Sequence, residues 1–379
     1  MKFSGCLFYL FFLGMSAGWA ASAATDSLPL ISGRLRSVSM NRDYEGKGSG
    51  SNSSLGILLQ AEARLWEGGD AGATYIYAEE VYASGQSEML SNNAFHLLNE
   101  AWLDADLAGG SAIRGGRMVY NGEVFRKDDS RQKPRAIEAV EWRTETLRLG
   151  HALRMSNYLQ SGDRWEFNSF DEVLKAGEDS EGMSWIEMQI PLSANLICSL
   201  YDAVAWRVSN LAGSRLAWQI SGDLTLLGYL RLESGLDQNR DHQSETYGLS
   251  VQKKWGGLLL ESGLLSVQGD DMLFEETTTG FNHALASCMI IYSCPFDAGA
   301  DTLYLKAKRK LGSASLYLLG IVTWHSRMPF DAEEMNLVLT HPLTDQVDIA
   351  VKAGVGYRQN DLIENSTATD ARLFLTYRY

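Results

Sequence analysis

Leu55-Gly-Ile-Leu-Leu-Gln-Ala-Glu-Ala-Arg-Leu-Trp66 alternates with a period of two. Its odd positions are Leu55, Ile57, Leu59, Ala61, Ala63 and Leu65, while the even ones include Gln60, Glu62 and Arg64. Such alternation gives a strand one apolar and one polar face. A helix would spread the same charges around its circumference. The pattern returns in Leu97–Leu107 and Val347–Gly356, and again at the end, where Leu373, Leu375, Tyr377 and Tyr379 alternate with Arg372, Phe374, Thr376 and Arg378.

The connections carry a second regularity. Short ones at Glu67–Asp70, Ala108–Gly110, Trp255–Gly257 and Leu311–Ser313 alternate with longer ones near 41–53, 84–94, 120–135, 157–182, 234–245, 268–299 and 358–368. About 18 strands result, an even count with short turns on one side and long loops on the other, as in outer-membrane barrels. Hydrocarbon offers no partner to an open strand edge, so such strands cross a membrane only as a closed cylinder. The expected fold is all-β: a transmembrane antiparallel β-barrel of about 18 strands with short periplasmic turns and long extracellular loops.

The composition fits a barrel. The chain has 379 residues, 47 acids against 33 Lys and Arg, and a net charge of −14. Its mean hydropathy of −0.16 would suit a soluble acidic protein, but a wall that is half lipid-facing and half water-facing also averages near neutral. The acidic balance excludes a nucleic-acid partner, which requires clustered cations. No apolar run beyond the first 23 residues approaches the roughly 20 that a membrane helix needs. A secreted sandwich or propeller also alternates, but with shorter strands and without this turn asymmetry. Trp66, Trp102, Trp142, Trp255, Trp324 and Tyr379 lie near proposed strand ends, as interfacial girdle residues do.

The N-terminus carries Lys2, an apolar core over Cys6–Met15, and Ala21-Ser22-Ala23. This reads as a secretory signal peptide over 1–23, leaving 24–379 as the barrel domain. Cys6 has no lipobox ahead of it.

A barrel this wide holds water, so it forms a pore whose preference is set by inward loops and rings of charge. The expected constriction is the segment between strands at 111–119 and 136–143, which runs from Asn121 to Arg135 with dense charge of both signs and one Pro. Parity places Arg34, Arg36, Arg64, Arg148, Arg154, Lys352, Arg372 and Arg378 toward the lumen. Arg131 and Arg135 are expected at the constriction, with Asp129 and Glu138 as its acidic side.

Gly116-Arg117-Met118, Asp128-Asp129-Ser130-Arg131, Pro134 and Glu138-Ala139 together resemble the pattern of OprD-like outer-membrane porins, with Ile137 where an aromatic is usual. Alginate-export porins look similar in the same region. The motif proper covers about 25 residues, within a looser likeness of the barrel pattern. The resemblance implies 18 strands, an inward loop, and an arginine and lysine ladder opposite acids that guides carboxylate-bearing solutes. It also implies monomers or loose trimers.

The resulting expectation is passive diffusion of small polar or charged solutes across the outer membrane of a Gram-negative bacterium. The partners would be membrane lipid, lipopolysaccharide and, through the strand ending at Tyr379, the barrel assembly machinery. The alternatives are a barrel-borne lipid hydrolase and a surface-adhesion barrel. Six scattered His and no paired Cys spacing give no zinc motif, and no phosphate loop appears, so no catalytic residue, metal or cofactor is expected. Cys288 and Cys294 bracket five residues of the longest loop and form a possible disulfide in an oxidising compartment.

Overall fold

The computed structural model describes residues 29–45, 48–85, 94–127, 129, 132–156, 166–174, 179–274, 294–360 and 365–379. The signal segment 1–23, Arg131 and Cys288, and with Cys288 the bond to Cys294, lie outside the described residues.

The strands are β1 Leu30–Tyr44, β2 Gly48–Trp66, β3 Gly69–Gly85, β4 Phe95–Leu107, β5 Ser111–Met118, β6 Ala136–Arg143 and β7 Leu147–Ser156. They continue with β8 Phe167–Asn168, β9 Met183–Ser193, β10 Leu196–Ala205, β11 Ser209–Gln219, β12 Leu224–Gly235 and β13 Gln243–Trp255. The last are β14 Leu258–Gly269, β15 Ala300–Leu311, β16 Ala314–His325, β17 Phe330–Pro342, β18 Val347–Asn360 and β19 Ser366–Arg378. Each pairs antiparallel with its sequence neighbours, except that β7 pairs directly with β9 while β8 only extends the end of β7. Eighteen strands therefore form the wall.

β1 closes it against β19, with Arg34 opposite Arg378 and Tyr44 opposite Ala368. Reciprocal backbone bonds between Gly33 and Tyr379, at 3.0 and 3.1 Å, extend the seam to the last residue. Among the described residues the wall leaves no sheet edge open, which is the condition for crossing hydrocarbon.

The outer face follows from the alternation. Leu55, Ile57 and Leu59 of β2 stand exposed, as do Leu373, Leu375 and Tyr377 of β19, which gives the wall the apolar outer face expected of a membrane barrel. Exposed Trp66, Trp218 and Trp255 mark the short-turn end, and Trp206 and Trp324 the other. Trp102 is not part of a girdle. It is partly buried against the interior core, with the Arg114 guanidinium 4.3 Å over its ring.

Two further expectations are corrected. The segment 41–53 is not a loop, since β1 runs to Tyr44 and β2 begins at Gly48. Its polar residues do not end the ladder, which stays paired out to Tyr44 opposite Gly48. The loop near 358–368 shrinks for the same reason. The parity of Leu97–Leu107 also breaks. Tyr75 opposes Leu98 while Thr74 opposes Glu100, so Asn99 sits in a β-bulge that shifts the faces by one residue.

The largest core cluster lies inside the barrel. It joins Tyr120, Val124 and Phe125 to Ile137 and Met155, to Trp185 of β9, and to Phe170 and Val173 of a short helix, Phe170–Leu174. A segment leaving β5 has folded inward to fill part of the lumen.

Candidate functional site

The inward turn begins at Gly116. Its φ of +117° is a conformation that L side chains rarely adopt, and a methyl group there would clash with the carbonyl of Ala101 on β4. After Met118 the chain drops into the lumen. Tyr120, Phe125 and Trp185 pack edge to face with centroids 5.2 to 5.7 Å apart, and Phe170 lies 6.1 Å from Phe125. The Trp185 indole donates to the Tyr120 hydroxyl at 3.1 Å. Burial pushes the Tyr120 phenol well above its ordinary range, so it stays neutral. Aromatic packing of this kind supplies the main hold on the loop. Phe125→Ala is expected to remove about 3–5 kcal/mol of it, seen as open-channel current noise above that of the wild type.

Polar contacts fix the first half of the loop to one side of the lumen. The Val124 amide donates to the Glu187 carboxylate of β9 at 2.8 Å. Arg215 of β11 holds Glu123 at 2.6 Å. Arg148 of β7 donates to the Asn121 carbonyl at 3.5 Å and lies over the Tyr120 ring. Beneath this half is a cavity of about 430 Å3 lined by Asn121, Glu123, Arg148, Glu187, Arg215 and Tyr229, among others.

The second half reaches the opposite wall. Asp129 takes hydrogen bonds from Arg34 at 2.6 and 3.1 Å and from Arg36 at 2.9 and 3.1 Å, and its carbonyl accepts a further one from Arg36 at 3.1 Å. The Gln132 amide then donates to the Ser54 hydroxyl of β2 at 2.6 Å. Gly56, beside it, leaves the room that Gln132 occupies. Lys133 is wholly buried and donates to Ser156 at 2.7 Å, and Arg135 is buried before β6 begins. The loop thus spans from β9 and β11 across to β1 and β2. Its far end is tied by charge-assisted bonds, which are the stronger kind.

On the inner face of β18, β19 and β1 stands a ladder of charge. Arg372 donates to Asp370 at 2.7 Å, and Arg42 holds the same carboxylate at 2.7 Å. Lys352 lies opposite Arg372 in register, 5.0 Å from the Phe374 ring. Arg378 pairs with Asp348, and Arg64 with Asp70 at 3.0 Å. Elsewhere in the wall Lys306 pairs with Glu261 at 3.2 Å, and Asp104 sits between Arg114 and Arg143, 2.5 Å from each. Arg42 shares the parity of Arg34 and Arg36, so the same count could have found it. The Arg215–Glu123 pair joins residues 92 positions apart and left no local signal.

Glu138 and Arg154 do not belong to this lumen site. Ile137 and Ala139 face the interior core, so Glu138 shares the outer face of β6 with Val140, which is 54% exposed. A bulge at Leu153 pairs Arg154 with Glu138 while Ala152 pairs with Ala139, which carries Arg154 to the outer face as well. Glu138 there takes bonds from Arg154 at 2.8 Å and Arg117 at 3.2 Å. The acids that meet the inward loop are Asp129, Glu123 and Glu187 instead.

No protein-family model and no curated protein matches the chain. Solved structures do. OccK9 (OpdG) of Pseudomonas aeruginosa superposes with a TM-score of 0.75 at 15% identity, covering 92% of this chain and 98% of that one. The outer membrane protein opdK of the same organism gives 0.73 at 15%, covering 93% and 98%. OprD, also from Pseudomonas aeruginosa, gives 0.71 at 15%, covering 93% and 95%. With its closed 18-stranded wall, the chain has the fold of the OprD and Occ porins.

Proposed function

We propose that the protein is a passive channel of the Gram-negative outer membrane for small hydrophilic solutes, delivered there by the signal peptide 1–23. The observation that carries this reading is the loop held across the lumen, with Asp129 locked between Arg34 and Arg36. A tie of that strength in the middle of a wide barrel narrows a water-filled path and fixes the charges beside it. The cation-rich face of β18, β19 and β1 favours solutes that carry a carboxylate or another anionic group, since opposed charges orient a dipolar solute. The likeness to OprD and Occ structures supports the same reading, and neither the hydrolase nor the adhesion alternative has a feature of its own in its favour. Lipid contact, and assembly through the strand ending at Tyr379, belong to the same proposal.

Liposome swelling tests it. Vesicles loaded with the mature protein should swell in small sugars and faster in carboxylates of matched size. Equal rates for both would remove the anionic preference, and no swelling in either would remove the channel. Replacing Lys352 and Arg372 together by Gln is expected to shift the reversal potential in a salt gradient toward cation selectivity.

A further inference from the structure

The outer wall carries a charged cluster that the channel does not use. Arg117 of β5, Glu138 of β6 and Arg154 of β7 lie side by side on the lipid-facing side, with Val140 and Leu153 exposed next to them. One carboxylate accepts from two guanidiniums, at 3.2 and 2.8 Å, leaving the group with one net positive charge. Arg117 is also fixed by a bond to the Leu98 carbonyl at 3.1 Å and lies 4.5 Å over the Phe167 ring. Arg154 has Glu138 as its partner and is 46% exposed.

Charge on a lipid-facing wall is costly in mid-bilayer and tolerated near the interface. The wall is low here. β5 and β6 have 8 residues each, against the roughly 9–11 that a crossing strand needs. β1, β2 and β3 have 15, 19 and 17. A short wall thins the bilayer beside it and draws headgroups down. The cluster stands at the loop-side end of this dip, where those headgroups arrive.

We propose that the outer face of β5–β7 seats a phosphate of an outer-leaflet glycolipid, with Arg154 as its main donor, Arg117 beside it, and Val140 and Leu153 under the acyl chains. The proposal rests on the outer-membrane reading above. Guanidinium matches phosphate in geometry, and the surplus charge matches it in sign.

Native mass spectrometry of the detergent-solubilised protein with bisphosphorylated lipid A tests this. Arg154→Gln is expected to weaken retention of the lipid about ten-fold, as loss of one charge-assisted bond implies. Arg154→Lys should largely keep it, and Glu138→Gln should tighten it by removing the competing carboxylate. Dephosphorylated lipid A should bind the wild type as weakly as bisphosphorylated lipid A binds Arg154→Gln. Unchanged retention in Arg154→Gln, equal binding of the dephosphorylated lipid, or weakening by Glu138→Gln would each overturn the site. Displacement of the lipid by millimolar inorganic phosphate would make it an ion site and overturn it equally. Conductance of the same variants is expected to equal that of the wild type, so failure of the lipid site and failure of the channel reading have separate readouts.

Discussion

Asp129→Asn is expected to raise single-channel conductance well above the wild-type value and to broaden its distribution. Asp129 bonds both Arg34 and Arg36, whose side chains are 15% and 11% exposed. Removing its charge leaves two half-buried guanidiniums facing a neutral amide, a change that costs about 2–5 kcal/mol in comparable buried charge pairs. The loop is still held at Tyr120, Phe125 and Gln132, so its middle gives way while its ends stay in place. The path widens on the side of β1. Loss of the Asp129 charge should also make the wider channel more anion-selective. Asp237→Asn removes an exposed acid from a pair with Arg207 at the outer rim and should leave conductance unchanged. Equal conductance for Asp129→Asn and wild type would show that the tie does not set the constriction.

The second large effect is expected at Gly116. A methyl group would meet the Ala101 carbonyl of the neighbouring strand, and the φ of +117° adds strain. A residue held in such a region costs of order 1–3 kcal/mol, and here the backbone must also move apart. Gly116→Ala should lower the unfolding temperature, read from the heat-induced mobility shift on gels, and slow assembly into vesicles. Gly115, one residue earlier, points outward with only Val140 at 3.8 Å, so Gly115→Ala should behave as wild type. If both variants unfold alike, the strained turn is not what launches the loop. Both variants add the same methyl group, so a difference between them reads the positive φ and the backbone clash at Gly116.

Sequence periodicity made the wall legible because a closed barrel with an apolar outer and a polar inner face imposes a period of two on every strand. Strand number, tight turns and the closing residue Tyr379 followed from that. The inward direction of Arg34, Arg36 and Arg372 followed too, since no bulge interrupts β1 or the end of β19. Arg154 escapes a parity count because such a count cannot see a bulge, and the one at Leu153 reverses the face. Glu138 needs no bulge to face outward, since it alternates with inward Ile137 and Ala139 on β6. Trp102 is misread from its nearness to a strand end alone, since it shares the even, inward face of β4 with Glu100 and Asp104. The partners within the lumen were beyond reach of any local pattern. Asp129 meets Arg34 across 95 residues of chain, and only the closed barrel brings them together. The span 41–53 failed on composition, because polar residues mark water on both faces as readily as they mark a loop.

The most direct measurement is the current through a planar bilayer after insertion of the folded mature protein. Stepwise increases of uniform size, each one channel, are expected, with a reversal potential on the anion-selective side in a salt gradient. A barrel shown to be folded by its heat-shifted mobility, yet carrying no current at any voltage, would contradict the assignment of a channel.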